Sequence, residues 1–197
     1  ERDKGELEEL RNLMLERKAS MSGRTLWLGG TEVSRQREAS MFNCSFLRIQ
    51  TVYDCVDALW LLLNGCGVGF SPSIGTLNGF SSVIPEVEFI RSKQAKDYRG
   101  REENEESYEG GTWTISIGDS AESWAKALGK LLAGKNRASR LVIDTSEIRG
   151  SGARLKGYGW ISSGDTPLVK AIENICGLLN KRAGSLLTRI DILDLVN

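Results

Sequence analysis

Two short stretches stand out in the sequence: Asn43-Cys44-Ser45-Phe46 and, one helical segment later, Gly65-Cys66-Gly67-Val68-Gly69-Phe70. The alternating pattern from Phe42 to Ile49 predicts a buried strand that carries Cys44. The glycine run predicts a second strand whose backbone is open to a ligand. Close packing of a helix against a strand explains such a run equally well. The residues alone therefore predict either a small-molecule site beside Cys44 or ordinary packing.

The composition excludes several classes of chemistry. The 197 residues include 26 acidic and 26 basic residues, and this balance argues against nucleic acid as a main partner. The chain has no histidine, so it cannot by itself build a Ser-His-Asp triad or a Cys-His pair, and we expect no metal site. Its four cysteines are too few and too scattered for a secreted disulfide scaffold. Cysteine redox or radical chemistry and carboxylate acid–base chemistry remain.

The length and hydropathy pattern predict a globular, cytoplasmic protein with no membrane partner. The sequence has 40% apolar residues, no apolar run of 18 residues and no leader pattern. Gly5 to Lys18 predicts an amphipathic helix. Because that helix begins without a leader methionine and Ile190 to Val196 starts a helix without a far cap, we expect the chain to be part of something longer.

The region around the two stretches predicts helices, strands and loops in alternation. Ser20 to Gly30 predicts a turn, a short strand and a double glycine, and Thr31 to Ser40 predicts a surface loop. In the first of these segments, Ser22, Arg24 and Thr25 fit either ordinary turn chemistry or an anion cradle. After the Cys44 strand, Asp54 or Asp57 is expected to cap a helix that is apolar on nearly all sides and therefore buried.

The middle of the chain predicts a second set of strands. Ser81 to Ile90 and Thr112 to Ile117 have strand patterns, and Arg91 to Glu109 predicts a mobile surface loop because it is charged and lacks large aliphatic residues. Asp119 and Ser120 are expected to cap a helix closed by Gly134. Arg140 to Asp144 predicts a buried strand.

The last third predicts two loops around one helix. Gly150 to Asp165 is a long glycine-rich loop, and such loops are often functional. Thr166-Pro167 opens a helix in the favoured way, and Cys176 on its apolar face is interpreted as packing. An exposed loop, Lys181 to Ser185, is expected before the final helix.

Six blocks in order resemble the adenosylcobalamin-dependent (class II) ribonucleotide reductases, in particular those of the monomeric ribonucleoside-triphosphate reductase type. The blocks are Ser22-Gly23-Arg24-Thr25-Leu26-Trp27 with Gly30-Thr31, Asn43-Cys44-x-Phe46, Gly65-x-Gly67-Val68-Gly69-Phe70-Ser71, Asp144-x-Ser146-x-Ile148-Arg149, Gly157-Tyr158-Gly159 with Ser163-Gly164, and Asn180-Lys181-x-Ala183-Gly184 with Leu187-Thr188. Each block is weak alone, and their shared order gives the resemblance its strength.

The resemblance implies an α/β fold that forms the first half of the ten-stranded α/β barrel of these reductases, with an inserted α+β segment. Residues 1–71 would hold the N-terminal helix and first barrel strands. Residues 72–150 would be an insertion that replaces a dimer partner, and 151–197 would continue the barrel with the effector loops. The chain would be an N-terminal fragment, since the family's radical cysteine lies beyond Asn197.

The resemblance also implies roles for individual residues. Cys44 matches the first cysteine of the redox pair that reduces the ribose. Asn43 matches a position that lines the ribose, and Thr25 matches one that binds substrate phosphate. Gly67 and Val68 would form a backbone edge against the substrate.

Two loops match those that read an allosteric deoxynucleotide and relay substrate choice in this family. The positions that the resemblance assigns to them are Gly157, Gly159, Ser163, Gly164, Arg182, Gly184 and Ser185. Asp165 and Trp160-Ile161 depart from the family pattern in the first loop, and Cys66 replaces a glycine that is usual in the family. Cys44, Cys55 and Cys66 fall at intervals of eleven residues, which we interpret as a coincidence.

The implied cofactor is adenosylcobalamin, bound mainly by parts of the enzyme outside this chain. The implied partners are a ribonucleotide substrate, a deoxynucleotide effector, the C-terminal half of the reductase and a thioredoxin-like reductant. A non-catalytic nucleotide-binding or regulatory module, or a split subunit that is inactive alone, is the alternative. Diiron (class I) and glycyl-radical reductases are lesser rivals.

Overall fold

The computed structural model describes residues 2–134, 137–155 and 161–197. Its elements are, in chain order, α1 (Arg2–Leu15), α2 (Gly23–Leu28), α3 (Glu32–Gln36), a 3-10 helix (Glu38–Met41), β1 (Cys44–Ile49), α4 (Val52–Leu63), β2 (Gly67–Pro72), β3 (Glu86–Ile90), β4 (Glu105–Glu109), β5 (Thr112–Ser116), α5 (Ala121–Leu132), β6 (Arg140–Asp144), α6 (Thr166–Lys181) and α7 (Arg189–Val196). Among these described helices, none is both long and apolar enough to cross a membrane. The α/β class predicted from the sequence is confirmed.

The strands form two separate sheets. β1 and β2 pair in parallel, and the second sheet has the order β3-β6-β5-β4, with β4 antiparallel to β5. No closed barrel forms within the described part of the chain. The core lies on the second sheet and the helices against it, and its largest fully buried side chains include Trp113, Ile115, Leu131, Leu141, Ile143 and Leu179.

The charged stretch before β5 is more ordered than the sequence predicts. Glu105–Glu109, expected to be part of a mobile loop, is strand β4 and pairs with β5. Gly110 and Gly111 join the two strands with φ of +56° and +81°. A two-residue hairpin turn of this hand needs positive φ at both positions, which glycine supplies at little cost. The Gly-Gly pair was the signal for this hairpin.

The segment around Thr25 is a helix rather than the predicted strand. The Oγ of Ser22 accepts a hydrogen bond of 3.2 Å from the Thr25 amide, which starts α2, and the Gly29 amide donates to the Thr25 carbonyl at its end. Residues 31–41 also form two short helical turns instead of a surface loop, because the Thr31 side chain caps α3. Side-chain capping thus outweighs the weak strand pattern.

β1 and α4 are less buried than predicted. Along β1 the exposed side chains alternate with more covered ones, and Ile49 alone is buried. In α4 the buried residues are Cys55 and Ala58, whereas Tyr53 is 80% exposed. The helix is capped by Thr51, in a capping box with Asp54, so neither predicted aspartate is the cap.

Strand β3 begins later than predicted, at Glu86 instead of Ser81. The side chain of Asn180 on α6 takes both backbone groups of Ile84, with a 2.8 Å bond from the Ile84 amide and a 2.9 Å bond to its carbonyl. Those groups are then unavailable for a sheet ladder. A tertiary contact therefore sets the start of β3.

Several elements match their predicted ranges closely. β2, β5, β6 and α6 form as predicted, and α5 is capped by Ser120. Asp119 instead forms a nearly buried ion pair with Arg149, with a distance of 2.7 Å from Arg149 Nε to Asp119 Oδ2. Cys176 is 2% exposed on the core side of α6, which confirms packing as its role.

Candidate active site

Cys44 lies at the start of β1 with an exposed side chain. All four cysteines lie in the described residues, and Cys44 is the exposed one. It shares the exposed face of β1 with Phe46, whose side chain is 69% exposed. The structure therefore presents one accessible thiol beside an accessible aromatic ring.

The glycines of β2 lie directly beside this thiol. In the parallel register, Cys44 pairs with Gly67 and Phe46 pairs with Gly69. A Cβ atom at Gly67 would meet nothing closer than the Asn43 carbonyl oxygen at 3.6 Å, and one at Gly69 would lie 3.3 Å from the Phe46 ring. The backbone beside Cys44 is thus bare, as a ligand edge requires.

Asn43 and Val68 frame the same end of the small sheet. The Asn43 carbonyl accepts a hydrogen bond of 2.8 Å from the Gly67 amide, which extends the pairing one residue before β1. Val68 points to the opposite, more covered face and packs against the core. The backbone of Val68, rather than its side chain, therefore belongs to the open edge.

Arg24 joins α2 to this end of the sheet. Its guanidinium donates to the carbonyl oxygens of Ser40, at 2.6 Å, and of Gly65. Because Ser22 caps α2 and Arg24 binds backbone oxygens, both have structural roles, in line with ordinary turn chemistry. Thr25 lies on the first turn of α2, with its hydroxyl 2.9 Å from that of Ser22.

Cys66 is a neighbour of this site that the sequence analysis set aside. It is 2% exposed, precedes β2, and its thiol donates to the Gly67 carbonyl at 3.5 Å. Burial raises the pKa of the Cys66 thiol; the nearby Cys44 raises it further, whereas Arg24 opposes the shift. Cys66 and Cys44 therefore lie close together but on the covered and exposed faces of the sheet respectively. The parallel register of β1 with the glycine run brings Cys66 close to Cys44, and this register could not be read from the sequence.

The first predicted effector loop closes on itself at its base. The Gly152 amide donates to the Ser162 carbonyl, and the Ser162 amide donates to the Ala153 carbonyl. Gly164 has a φ of +70° and is buried, while Ser163 is exposed. Gly157 and Gly159 lie outside the described residues.

The second predicted effector loop is joined to residues 77–80 by backbone hydrogen bonds. The Gly184 amide donates to the Phe80 carbonyl at 2.7 Å, and the Gly79 amide donates to the Ser185 carbonyl at 3.0 Å. Arg182 Nε lies 2.7 Å from Asp191 Oδ2, an ion-pair contact whose direction falls outside hydrogen-bond geometry. Gly184 and Ser185 remain exposed. Sequence reasoning did not identify residues 77–80 as the partner of this loop.

The structure brings some predicted residues together and separates others. Cys44, Asn43 and Gly67 meet at one end of β1 and β2, whereas the loop residues lie at the two ends of α6. α7, which follows the second loop, contacts β2 and so links the loop to the small sheet. Among the described residues, no group of three His, Cys, Asp or Glu side chains is placed to hold a metal ion.

Comparison with known proteins shows which enzymes this chain is similar to. Residues 91–179 match the family model of the insertion domain of B12-dependent ribonucleotide reductase. The match overlaps the predicted insertion, 72–150, from residue 91 onward and continues almost to the end of α6. The chain is therefore similar to the adenosylcobalamin-dependent, class II ribonucleotide reductases, as its sequence blocks predicted.

Individual reductases of this class are similar to nearly the whole chain. The chain is 29% identical to the adenosylcobalamin-dependent ribonucleoside-triphosphate reductase of Lactobacillus helveticus, over 98% of this chain and 31% of the relative. The Lactobacillus leichmannii reductase is 28% identical over the same shares. The crystal structure of a B12-dependent class II ribonucleotide reductase superimposes with a TM-score of 0.77 at 25% identity, covering 96% of this chain and 31% of that one. The chain spans about a third of the length of these relatives.

Proposed function

We propose that this chain is part of a ribonucleotide reductase that converts ribonucleoside triphosphates to deoxyribonucleotides, with Cys44 as one thiol of the redox pair. The observation that carries the proposal is the exposed Cys44 thiol beside the bare backbone of Gly67, in a chain similar to class II reductases over nearly all its length. In this proposal β1 and β2 are the first strands of the ten-stranded barrel, completed by the part of the relatives that this chain does not span.

The chemistry of the thiol fits this role. Reduction at C2′ of the ribose removes the hydroxyl as water and takes two electrons and two hydrogens from two thiols, which end as a disulfide. Cys44 supplies one thiol, and the other comes from outside this chain, because Cys55 and Cys176 are buried in the core and Cys66 faces the covered side of the sheet. No histidine is required for this step.

The open face has groups that suit a nucleotide. It offers a thiol, the Phe46 ring and bare glycine backbone, which match a ribose, a base face and hydrogen-bonding sugar hydroxyls. When bound, adenosylcobalamin would supply the radical that starts the reaction. We assign none of its contacts to the described residues. Asn43, the residue before Cys44, is the proposed ribose contact, and Thr25 on α2 is the proposed phosphate contact.

The insertion would replace a dimer partner around the effector, and its helix α5 packs on α4. α5 packs on α4 so closely that a Cβ atom at Gly129 would lie 2.9 Å from Val56 Cγ2. Arg37 reinforces the contact, since it forms an ion pair of 2.9 Å with Glu122 on α5 and lies over the Trp60 ring of α4. The two loops at the ends of α6 would read a deoxynucleotide effector, with the exposed Gly184, Ser185 and Ser163 as its contacts.

The test is reconstitution. This chain is co-expressed with a segment that supplies the remaining two thirds of the Lactobacillus helveticus relative, and deoxynucleotide formation is assayed with adenosylcobalamin and a dithiol. Cys44→Ser is expected to abolish turnover, and Cys55→Ala is expected to retain it. Full activity of the Cys44→Ser assembly would contradict the assignment.

A binding measurement separates the enzyme from a regulatory nucleotide-binding module. For the enzyme, a ribonucleoside triphosphate should protect Cys44 from alkylation by iodoacetamide in the assembled protein. For a regulatory module, a nucleotide would bind without protecting Cys44, and the Cys44→Ser variant would bind it equally well.

A further inference from the structure

α6 is fastened through its N-cap residue to the two residues that follow β3. Asp165, the N-cap residue of α6, accepts hydrogen bonds from Arg91 Nε at 2.8 Å and Arg91 Nη2 at 2.9 Å. It also accepts from the Ser92 amide at 3.0 Å and the Thr145 hydroxyl at 2.9 Å. Asp165 is only 6% exposed, so the carboxylate of this N-terminal clasp is held away from solvent, whereas the Arg91 side chain is partly exposed.

Near its C-terminal end, α6 is fastened to Ile84, which lies two residues before β3. Asn180 binds the backbone amide and carbonyl of Ile84. The Phe80 amide donates to the carbonyl of Leu179, the residue before Asn180, at 3.1 Å. This C-terminal clasp also holds the loop that follows, because the Gly184 amide donates to the Phe80 carbonyl.

The two clasps are matched in spacing. From Asp165 to Asn180 the helix rises through 15 residues, or about 22 Å at 1.5 Å per residue. From Ile84 to Arg91 the extended chain advances through seven residues, or about 23 Å at 3.3 Å per residue. The two lengths agree, as a helix joined at both ends to one antiparallel segment requires. α6 and residues 84–91 therefore form one doubly clasped unit.

One proposed nucleotide loop ends at each clasp. The loop of residues 150–165 runs into Asp165, and the loop of residues 182–188 follows Asn180. We propose that Arg91 and Asn180 are positioning residues that couple the two loops, so that a nucleotide that binds one loop shifts the other through the clasped unit. The coupling role rests on the proposed function of the loops, whereas the mechanical link does not.

The physical basis is that both loops are attached to one hydrogen-bonded unit. A ligand that favours one position of a loop also favours the matching position of whatever moves with that loop. The N-terminal clasp has charge-assisted hydrogen bonds, and the C-terminal clasp has a pair of hydrogen bonds to one residue. Motion of α6 together with residues 84–91 keeps these bonds, whereas motion of one without the other breaks them and costs their free energy. A merely local stabilising role would confine the effect of losing a clasp to its own end of α6.

The first experiment measures amide hydrogen exchange in the isolated chain. Arg91→Lys keeps the charge but loses the fork that binds Asp165, and Asn180→Asp keeps the acceptor for the Ile84 amide but loses the donor. Arg99→Lys is the matched control, since Arg99 donates to the nearby carbonyls of Lys96 and Tyr98. Arg91→Lys is expected to speed exchange at the Ile84 and Gly184 amides roughly fivefold relative to this control. Asn180→Asp is expected to do the same at the Ser92 amide.

The Ile143 amide in the central strand β6 reports global opening and is expected to stay unchanged. Faster exchange confined to the mutated clasp overturns the proposal. An increase spread evenly to Ile143 in both variants, and in Asp165→Asn, also overturns it, because it would show a loss of stability instead of coupling.

The second experiment measures effector-dependent substrate preference in the reconstituted reductase. Arg91→Lys is expected to weaken the effect of a deoxynucleotide on the ratio of two substrates roughly fivefold, with the basal rate retained, while Arg99→Lys leaves it intact. An unchanged effector response in Arg91→Lys overturns the coupling. If the clasps couple in exchange but the unaltered enzyme shows no effector response, the loops' proposed function fails and the mechanical link stands.

Discussion

Gly79 and Arg182 are in such close contact that a Cβ atom at Gly79 would lie 2.2 Å from the Arg182 carbonyl oxygen. The same Cβ would lie 2.6 Å from the carbonyl oxygen of Leu179. The backbone of residue 79 therefore runs directly against the end of α6, where the second loop begins. This contact requires a glycine for reasons of space.

Replacement of Gly79 by alanine is expected to destabilise the protein by about 2 kcal/mol or more, because the neighbouring atoms are backbone and cannot move aside. Gly177→Ala is the matched control on the exposed side of α6, where a Cβ meets nothing within 4 Å. It should stabilise by up to about 1 kcal/mol through helix propensity. Urea denaturation of both variants measures the difference, and equal stabilities would contradict the contact.

Asp165 predicts a pH dependence of stability. The Arg91 guanidinium, with the Ser92 amide and the Thr145 hydroxyl, lowers the pKa of Asp165 from 3.8 to about 2 despite burial. A carboxyl with a lowered folded-state pKa stabilises the fold fully above its unfolded pKa, and this stability is lost as the pH falls from about 4 to about 2. The loss is on the order of 2 kcal/mol. It appears as the difference between the unfolding free energies of the unaltered chain and Asp165→Asn, measured from pH 6 to pH 2, and a constant difference would contradict it.

The cysteines should differ sharply in reactivity. Burial raises the pKa of Cys176 to about 12, and burial together with Asp54 raises that of Cys55 to about 12. The pKa of Cys66 is also raised, mainly by burial. Because the thiolate is the reactive form, iodoacetamide at pH 8 should modify Cys44 first in the folded chain and all four cysteines in urea. Mass spectrometry of the peptides reads the order, and early modification of Cys66 would show that the covered face is open.

The N-cap of α4 is Thr51, whereas the sequence pattern predicted Asp54 or Asp57. Thr51→Ala is expected to cost about 1 kcal/mol, because the Thr51 side chain accepts from the Asp54 amide in the capping box. Asp57→Ala should stay within about 0.5 kcal/mol, since Asp57 is exposed within the helix. Thermal unfolding of the two variants is the measurement, and a larger loss in Asp57→Ala would refute this assignment.

Gly67 tests whether the glycine edge serves packing or a ligand. A Cβ at this position has room, so Gly67→Ala should leave the unfolding free energy within about 0.5 kcal/mol. In the reconstituted enzyme the same variant should weaken protection of Cys44 by a ribonucleoside triphosphate, because the added methyl group covers the backbone beside the thiol. Reduced stability with unchanged protection would favour packing.

Local sequence was sufficient for elements whose signals are short-range. The paired glycines in β2, the Ser120 cap of α5 and the Thr166-Pro167 start of α6 predict their elements correctly. The absence of histidine left cysteine or carboxylate chemistry, and the ordered blocks carry the resemblance to the class II reductases. These features depend on residues that lie within a few positions of one another, or on residue types alone.

Tertiary contacts decided the rest. Asn180, 96 positions after Ile84, removes Ser81 to Pro85 from the predicted strand, and Arg24 draws α2 to Gly65 across 41 positions. The pairing of Cys44 with Gly67 leaves the thiol on the exposed face and Cys66 on the covered one. The sequence by itself determined which chemical groups the chain has and where its helices and strands could start. Only the tertiary structure decided which of those groups share a face, because hydrogen bonds and packing between distant segments carry no local signature.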